Sequence, residues 1–133
     1  MIVVDTNIIT YLYLPTEYTE LAERLLEQDP DWVAPTLWRS ELRNVLAHYL
    51  RKQLLTFDAA YAIQTEAEAL LSEREYEPDS YEVLRLVEAS DCSAYDCEFV
   101  ALAKRLGTQL VTMDKKILKA FPEVGISLSS ATH

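Results

Sequence analysis

Cysteine is almost missing from this chain: Cys92 and Cys97 are the only two among 133 residues. Two thiols without histidine partners make a poor zinc site, and a reducing cytoplasm keeps them unpaired, so neither a disulfide scaffold nor a zinc centre is expected. Long apolar runs are also missing. No stretch approaches the roughly 20 residues that cross a bilayer. The opening Met1-Ile2-Val3-Val4-Asp5 has no basic region and places a charge at its fifth position, so it is not expected to act as a signal peptide. A cytoplasmic protein without a membrane partner is the expectation. Positive charge is scarce as well: 12 Lys and Arg stand against 22 Asp and Glu, a formal net charge of −10. Nucleic-acid binders are usually basic, because neutralising phosphates drives much of their affinity. The total argues against such a partner, but its distribution weakens that argument. Residues 64–98 hold eleven acids against Arg74 and Arg85, whereas residues 104–133 hold five bases against Asp114 and Glu123. An acidic flank and a basic C-terminal patch can coexist on one domain.

What is present reads as one domain over residues 1–133. Half the residues are apolar, and they are spread along the chain. Residues 1–5 predict a short buried strand, and Tyr18, Leu21, Ala22, Leu25 and Leu26 give helical spacing over Glu17–Gln28. After the Asp29-Pro30-Asp31 break, Trp32-Val33-Ala34 predicts a second strand ended by Pro35. Thr36 is expected to cap a helix to about Lys52, and Thr56 one to about Glu73. Asp79 with Glu82 resembles a capping box opening a helix to Ala89, and Ser93 caps one that stops at Gly107. Gln109–Thr112 predicts a buried strand and Ile126–Leu128 an edge strand. Continuous apolar strands alternating with helices predict an α/β domain, a mostly parallel sheet of about four to five strands covered by helices on both faces.

Four acids sit against apolar surroundings in this pattern. Asp5 closes Ile2-Val3-Val4 and Asp114 follows Leu110-Val111-Thr112-Met113. In open parallel sheets functional groups gather at the carboxyl ends of strands, so these two should share one edge, unless each only starts a turn or caps a helix. Asp96 stands three residues after Ser93, where it could close a capping box. At 100° per residue, however, Phe99, Val100 and Ala103 lie within about 60° of it, a direction that capping does not require. Glu41 projects roughly 80° from the inward stripe of its helix, on an edge shared with Leu37, Asn44 and His48, and by helix geometry alone reads as solvated. A carboxylate near buried surface is costly unless paired, protonated or bound to a cation. Four together suggest a divalent metal. Mutual repulsion without the ion is then expected to raise at least one carboxyl pKa.

The motifs around these acids resemble a known family. Val4-Asp5-Thr6-Asn7-Ile8-Ile9 is similar to the opening motif of PIN domains, and Pro35-Thr36-Leu37-Trp38-Arg39-Ser40-Glu41-Leu42 to their second. Tyr95-Asp96-Cys97-Glu98-Phe99-Val100-Ala101-Leu102-Ala103 resembles the third, and Leu110-Val111-Thr112-Met113-Asp114 the fourth. Their order and spacing, and the chain's length, resemble VapC-type toxins, the ribonuclease half of bacterial and archaeal toxin–antitoxin pairs. The resemblance runs from residue 2 to about 121. It implies a PIN-like fold, a metal-binding and catalytic set of Asp5, Glu41, Asp96 and Asp114, and RNA hydrolysis leaving a 5′-phosphate and a 3′-hydroxyl. A small antitoxin protein and a homodimer are implied by the resemblance alone.

Oxygen ligands without a cysteine or histidine cluster favour Mg²⁺, with Mn²⁺ as an alternative. Thr6, Asn7 and Thr112 could supply polar groups to a ligand, water or phosphate, or serve as caps and turns. Lys115 and Lys116, beside Asp114, are candidate RNA contacts or part of a solvated helix face. Asp91 is a rival to Asp96 lying outside the helix. Trp38 falls on an apolar stripe and reads as core. Rival functions are a housekeeping PIN nuclease for RNA maturation, a catalytically silent PIN-like binding module, and a haloacid-dehalogenase-type phosphatase. The silent module should lack carboxylates, and the phosphatase needs an Asp-x-Asp pair, whereas residue 7 is Asn.

Overall fold

In the computed structural model, which describes residues 1–133, five short strands form the frame: β1 (Ile2–Val4), β2 (Trp32–Pro35), β3 (Glu75–Tyr76), β4 (Leu110–Val111) and β5 (Gly125–Ile126). They make one sheet in the order β3-β2-β1-β4-β5, and every neighbouring pair is parallel. Parallel neighbours need crossovers, which helices supply. The chain runs through α1 (Thr6–Tyr13) and α2 (Thr19–Gln28) between β1 and β2, and α3 (Leu37–Arg51) and α4 (Phe57–Leu70) between β2 and β3. It then runs through α5 (Ser80–Glu88) and α6 (Ala94–Leu106) before β4, α7 (Lys115–Ala120) before β5, and the terminal α8 (Leu128–Ala131). The first two crossovers step outward from β1, and the third jumps back past it to β4. Right-handed connections therefore place α1–α4 on one face and α5–α7 on the other. Contacts agree: α6 packs on β1, β2 and β4, while α1, α3 and α4 pack on one another. The gap between β1 and β4 is the topological switch point, where parallel sheets open a crevice.

The core follows from the apolar runs. Val3, Val4, Ala34 and Leu110 are fully buried in the sheet, with Ile8, Ile9, Trp38, Leu42, Val100 and Ala103 packed on it from the helices. Trp38 is core, as its stripe predicts, and its indole Nε1 donates to Glu75 at 2.8 Å. The same carboxylate takes two bonds from Arg39, at 2.6 and 2.7 Å, pinning α3 to β3. Thr56 and Ser93 cap α4 and α6 as expected, accepting from the Ala59 and Asp96 amides at 3.1 Å. Gly107 ends α6 at φ 66°, a left-handed turn that favours glycine.

Several details differ from the sequence reading. Residues 6–13 fold as α1, which the pattern did not announce: with Asp5 as N-cap, Ile8 and Ile9 turn inward on a single short stretch. Strand β3 has only Tyr76 as an apolar residue and is held by its ladder with Ala34 and Pro35. Helix α4 stops at Leu70, and α2 starts at Thr19. Thr36 does not cap through its side chain, because its backbone is already helical and its hydroxyl donates to Glu77 at 3.1 Å. The Asp79 side chain makes no capping bond either. Leu128 is not in the edge strand but begins α8, which Ser127 caps.

Candidate active site

Asp5 ends β1 and opens α1 with extended backbone at φ −71° and ψ 155°. Its amide bonds to the Val111 carbonyl at 3.0 Å, so pairing with β4 fixes where its side chain emerges. One carboxylate oxygen accepts from the Thr6 amide at 2.8 Å and the other from the Thr112 hydroxyl at 2.7 Å. That hydroxyl accepts in turn from the Asp114 amide at 3.0 Å, coupling the two strand-end acids through one buried threonine. Asp114 caps α7, its Oδ1 taking the Lys116 and Ile117 amides at 2.8 and 3.3 Å, which leaves Oδ2 unspent. Asp5 and Asp114 are therefore helix caps and also neighbours at the switch point. The two readings hold together.

Glu41 is half-buried, not solvated. The Thr6 hydroxyl donates to its Oε1 at 2.6 Å, tying α3 to α1. Asp96, on the first turn of α6, opens onto the same space. All four acids line one cleft of about 520 Å³, together with Thr6 and Asn7. Thr112 is fully buried and lies behind Asp5, so its hydroxyl serves that carboxylate and does not face the cleft. Asp91 lines a different concavity with Lys115, Lys116 and Lys119. His48 is exposed and absent from the acidic cleft. Cys92 and Cys97 are free and buried, Cys97 lying 4.0 Å from the Ser90 hydroxyl.

The electrostatics are those of an under-compensated cluster. Burial pushes the Asp5 carboxyl up; the bonds from Thr112 and the Thr6 amide oppose this, and Asp96 and Asp114 add repulsion. Burial likewise raises Glu41, with Asp5 and Asp96 adding to it. Asp96 is raised by burial first and Asp114 second, against the pull of Ser93 and Lys116. The upward direction matches expectation, but desolvation exceeds repulsion as its cause. None of the four acids belongs to an ion pair.

A hard divalent cation suits this donor set, which is all oxygen and has no ion-pair partner in the protein. No three of the acids stand together as a ready-made ligand cage. A loose cluster around a cleft suits an ion that keeps most of its water and takes only one or two direct carboxylates. Three further polar cleft residues, Ser40, Asn44 and Tyr95, were not singled out as site residues by the sequence reading. Asn44 shared the Glu41 edge and Tyr95 precedes Asp96, so adjacency was the available signal.

Comparison with known proteins agrees with this architecture. The family model described as PIN domain matches residues 2–123. Over 124 residues, 91% of this chain and 95% of the relative, the sequence is 31% identical to ribonuclease VapC3 of Pyrobaculum aerophilum. The fold is similar to the crystal structure of FitAcB from Neisseria gonorrhoeae, with a TM-score of 0.76 at 19% identity, covering 97% of this chain and 99% of that one.

Proposed function

The chain belongs to the PIN domain family, and from that premise we propose that it is a metal-dependent endoribonuclease acting as the toxin of a VapBC-type toxin–antitoxin pair. The observation that carries the reading is the convergence of Asp5, Glu41, Asp96 and Asp114 on one cleft at the sheet's switch point. Asp5 and Asp96 would be central ligands for Mg²⁺ or Mn²⁺, with Glu41 and Asp114 binding directly or through water. Such an ion, when bound, supplies charge that polarises a phosphoryl oxygen and acidifies a water. The chain's own residues do the positioning. Thr112 and the Thr6 amide hold both oxygens of Asp5, and the Thr6 hydroxyl turns Glu41 into the cleft. Lys115 and Lys116, at the start of α7 directly after Asp114, would hold backbone phosphates of the RNA on that side. Hydrolysis would leave a 5′-phosphate and a 3′-hydroxyl.

A small antitoxin protein and a second copy of the chain are the proposed protein partners. Their support is an exposed apolar surface on α4, where Phe57 and Tyr61, 70% and 65% exposed, stack with ring centroids 6.0 Å apart. A cytoplasmic setting belongs to the same reading; no helix is long and apolar enough to cross a membrane. The test is cleavage of a mixed RNA pool by purified protein with Mg²⁺, with Mn²⁺ and with EDTA, alongside Asp96→Asn. Metal-dependent cutting that disappears in the variant is expected. Equal cutting by the variant would remove Asp96 from the site, and cutting that EDTA leaves untouched would remove the metal.

A further inference from the structure

Away from the acidic cleft, the molecule carries a groove that the proposed hydrolysis leaves unused. Helix α5 packs along α6, and between them lies a concavity of about 320 Å³, the size of a small-ligand site. Tyr81, Glu82, Arg85 and Leu86 form one wall, and Ala101, Lys104 and Arg105 the other. Leu86 is half-buried and Ala101 buried, so the floor is apolar. None of these residues lines the cleft. Lys104 lies more than two turns of α6 from Asp96, about 12 Å along the helix axis. In a chain with 22 acids against 12 bases, three of the bases line this groove against one carboxylate. The helix dipole favours basic residues in the last turns of α5 and α6, but it does not require the two sets to meet in one groove. Their present partners hold them weakly. Arg85 pairs with Glu88 at 3.1 Å and Lys104 with Glu123 at 3.8 Å, all four side chains well exposed. Arg105 has no ion pair and donates only to the Glu77 carbonyl, at 3.4 Å. Exposed pairs of this kind contribute little and yield to a better anion. At the rim, Tyr81 is 67% exposed. The Arg85 guanidinium lies 5.5 Å from its ring centroid, and Nε donates to the Tyr81 hydroxyl at 3.3 Å. The ring thus fixes the arginine, and another planar group can stack beside it.

We propose that this groove binds a nucleotide, its phosphate between Arg85, Lys104 and Arg105, its base against Tyr81 and the apolar floor, and its ribose hydroxyls toward Glu82. Arginine meets phosphate with paired donors, and lysine adds a point charge. A bare anion would leave the ring and the apolar floor unused. An uncharged apolar ligand would leave three cations without a partner. A ligand with both an aromatic ring and a phosphate uses the whole groove. The site is separate from the acidic cleft and stands with or without the nuclease reading. A free nucleotide and the phosphorylated end of an RNA share this chemistry.

The experiment follows backbone amide NMR shifts of the full chain during titration with AMP in EDTA, where the metal-free cleft repels phosphate. Shifts confined to residues 81–86 and 101–105 are expected, saturating with a dissociation constant on the order of 1 mM or tighter. Adenosine and inorganic phosphate, titrated separately, should each bind about tenfold more weakly. Arg85→Ala and Arg105→Ala should each weaken AMP about tenfold with the rest of the spectrum retained, and Asp96→Asn should leave AMP binding unchanged. A 5′-phosphorylated trinucleotide separates the two sources. Tighter binding than AMP at the same residues assigns the groove to an RNA end, and weaker binding assigns it to a free nucleotide. Shifts that fall instead on the acidic cleft or the α7 lysines, or no shift at all, would overturn the proposal. So would either half-ligand binding as well as AMP, or unchanged affinity in Arg105→Ala.

Discussion

At the scale of single residues, the acids differ in how far their sequence context revealed them. Asp5 and Asp114 were legible because each ends an apolar run, and a strand end in a parallel sheet has a known address. Glu41 was not legible from its own helix. What holds it is the Thr6 hydroxyl, and Thr6 lies on α1, a helix that the apolar pattern was too short to announce. The raised carboxyl of Asp5 has a consequence for stability. An acid whose folded pKa lies above its ordinary value favours the folded state most when protonated, and that contribution is lost as pH rises through the raised pKa. In EDTA, Asp5→Asn should therefore melt at or above wild type at pH 7, with the difference shrinking toward pH 4, while cleavage measured with Mg²⁺ falls at least a hundredfold. A variant several degrees less stable at pH 7 would show that the carboxylate itself holds the fold. Thr112→Val tests positioning separately. It removes one bond to Asp5 and one from the Asp114 amide, and should lower kcat about tenfold with little change in KM.

At the scale of elements, the long amphipathic helices and the buried strands were read from periodicity, whereas β3 was not. Two residues with one apolar side chain carry no period, and their structure comes from partners distant in sequence. The Ala34 amide bonds to the Arg74 carbonyl at 3.2 Å and the Thr36 amide to the Tyr76 carbonyl at 3.1 Å. Glu75 adds the side-chain anchor, accepting from Arg39 and from Trp38. The Arg39 bond is the first cause of its lowered pKa. A lowered acid contributes stability that is present above its ordinary pKa and is lost as pH falls through the depressed value. Glu75→Gln should cost about 1–3 kcal/mol in urea unfolding at pH 7, toward the lower end because Arg39 is partly exposed. The gap to wild type should narrow near pH 3. A gap independent of pH would mean that Glu75 acts through packing and not through its charge.

At the scale of the whole molecule, the charge of −10 is not spread evenly, and its distribution decides how RNA can approach. The acids of the cleft repel a phosphate until a cation sits among them. Mg²⁺ should therefore act on the protein before any substrate arrives. At about ten times its dissociation constant it should raise Tm by on the order of 5 °C, and Asp5→Asn should abolish that shift. Beside the cleft, Lys115, Lys116 and Lys119 border a second concavity of about 520 Å³ with Ser90 and Asp91, and none of the three lysines is in an ion pair. Lys116 is close enough to Asp96 for its charge to oppose the rise in that carboxyl. Three lysines against the single carboxylate of Asp91 thus border the cleft on this side, and a strand bound across the cleft would leave it over these lysines. Each phosphate held on a single strand lowers the logarithm of affinity by roughly 0.7 per tenfold rise in salt. Binding of a single-stranded RNA pool to Asp96→Asn, with Mg²⁺ present, should then have a slope near −2 for three contacts. Replacing Lys115 and Lys116 with alanine in that background should flatten it by about 1.4, and the same replacement with Asp96 intact should leave the cut sequence unaltered. An unchanged slope would send the strand out by another route, across Lys104 and Arg105.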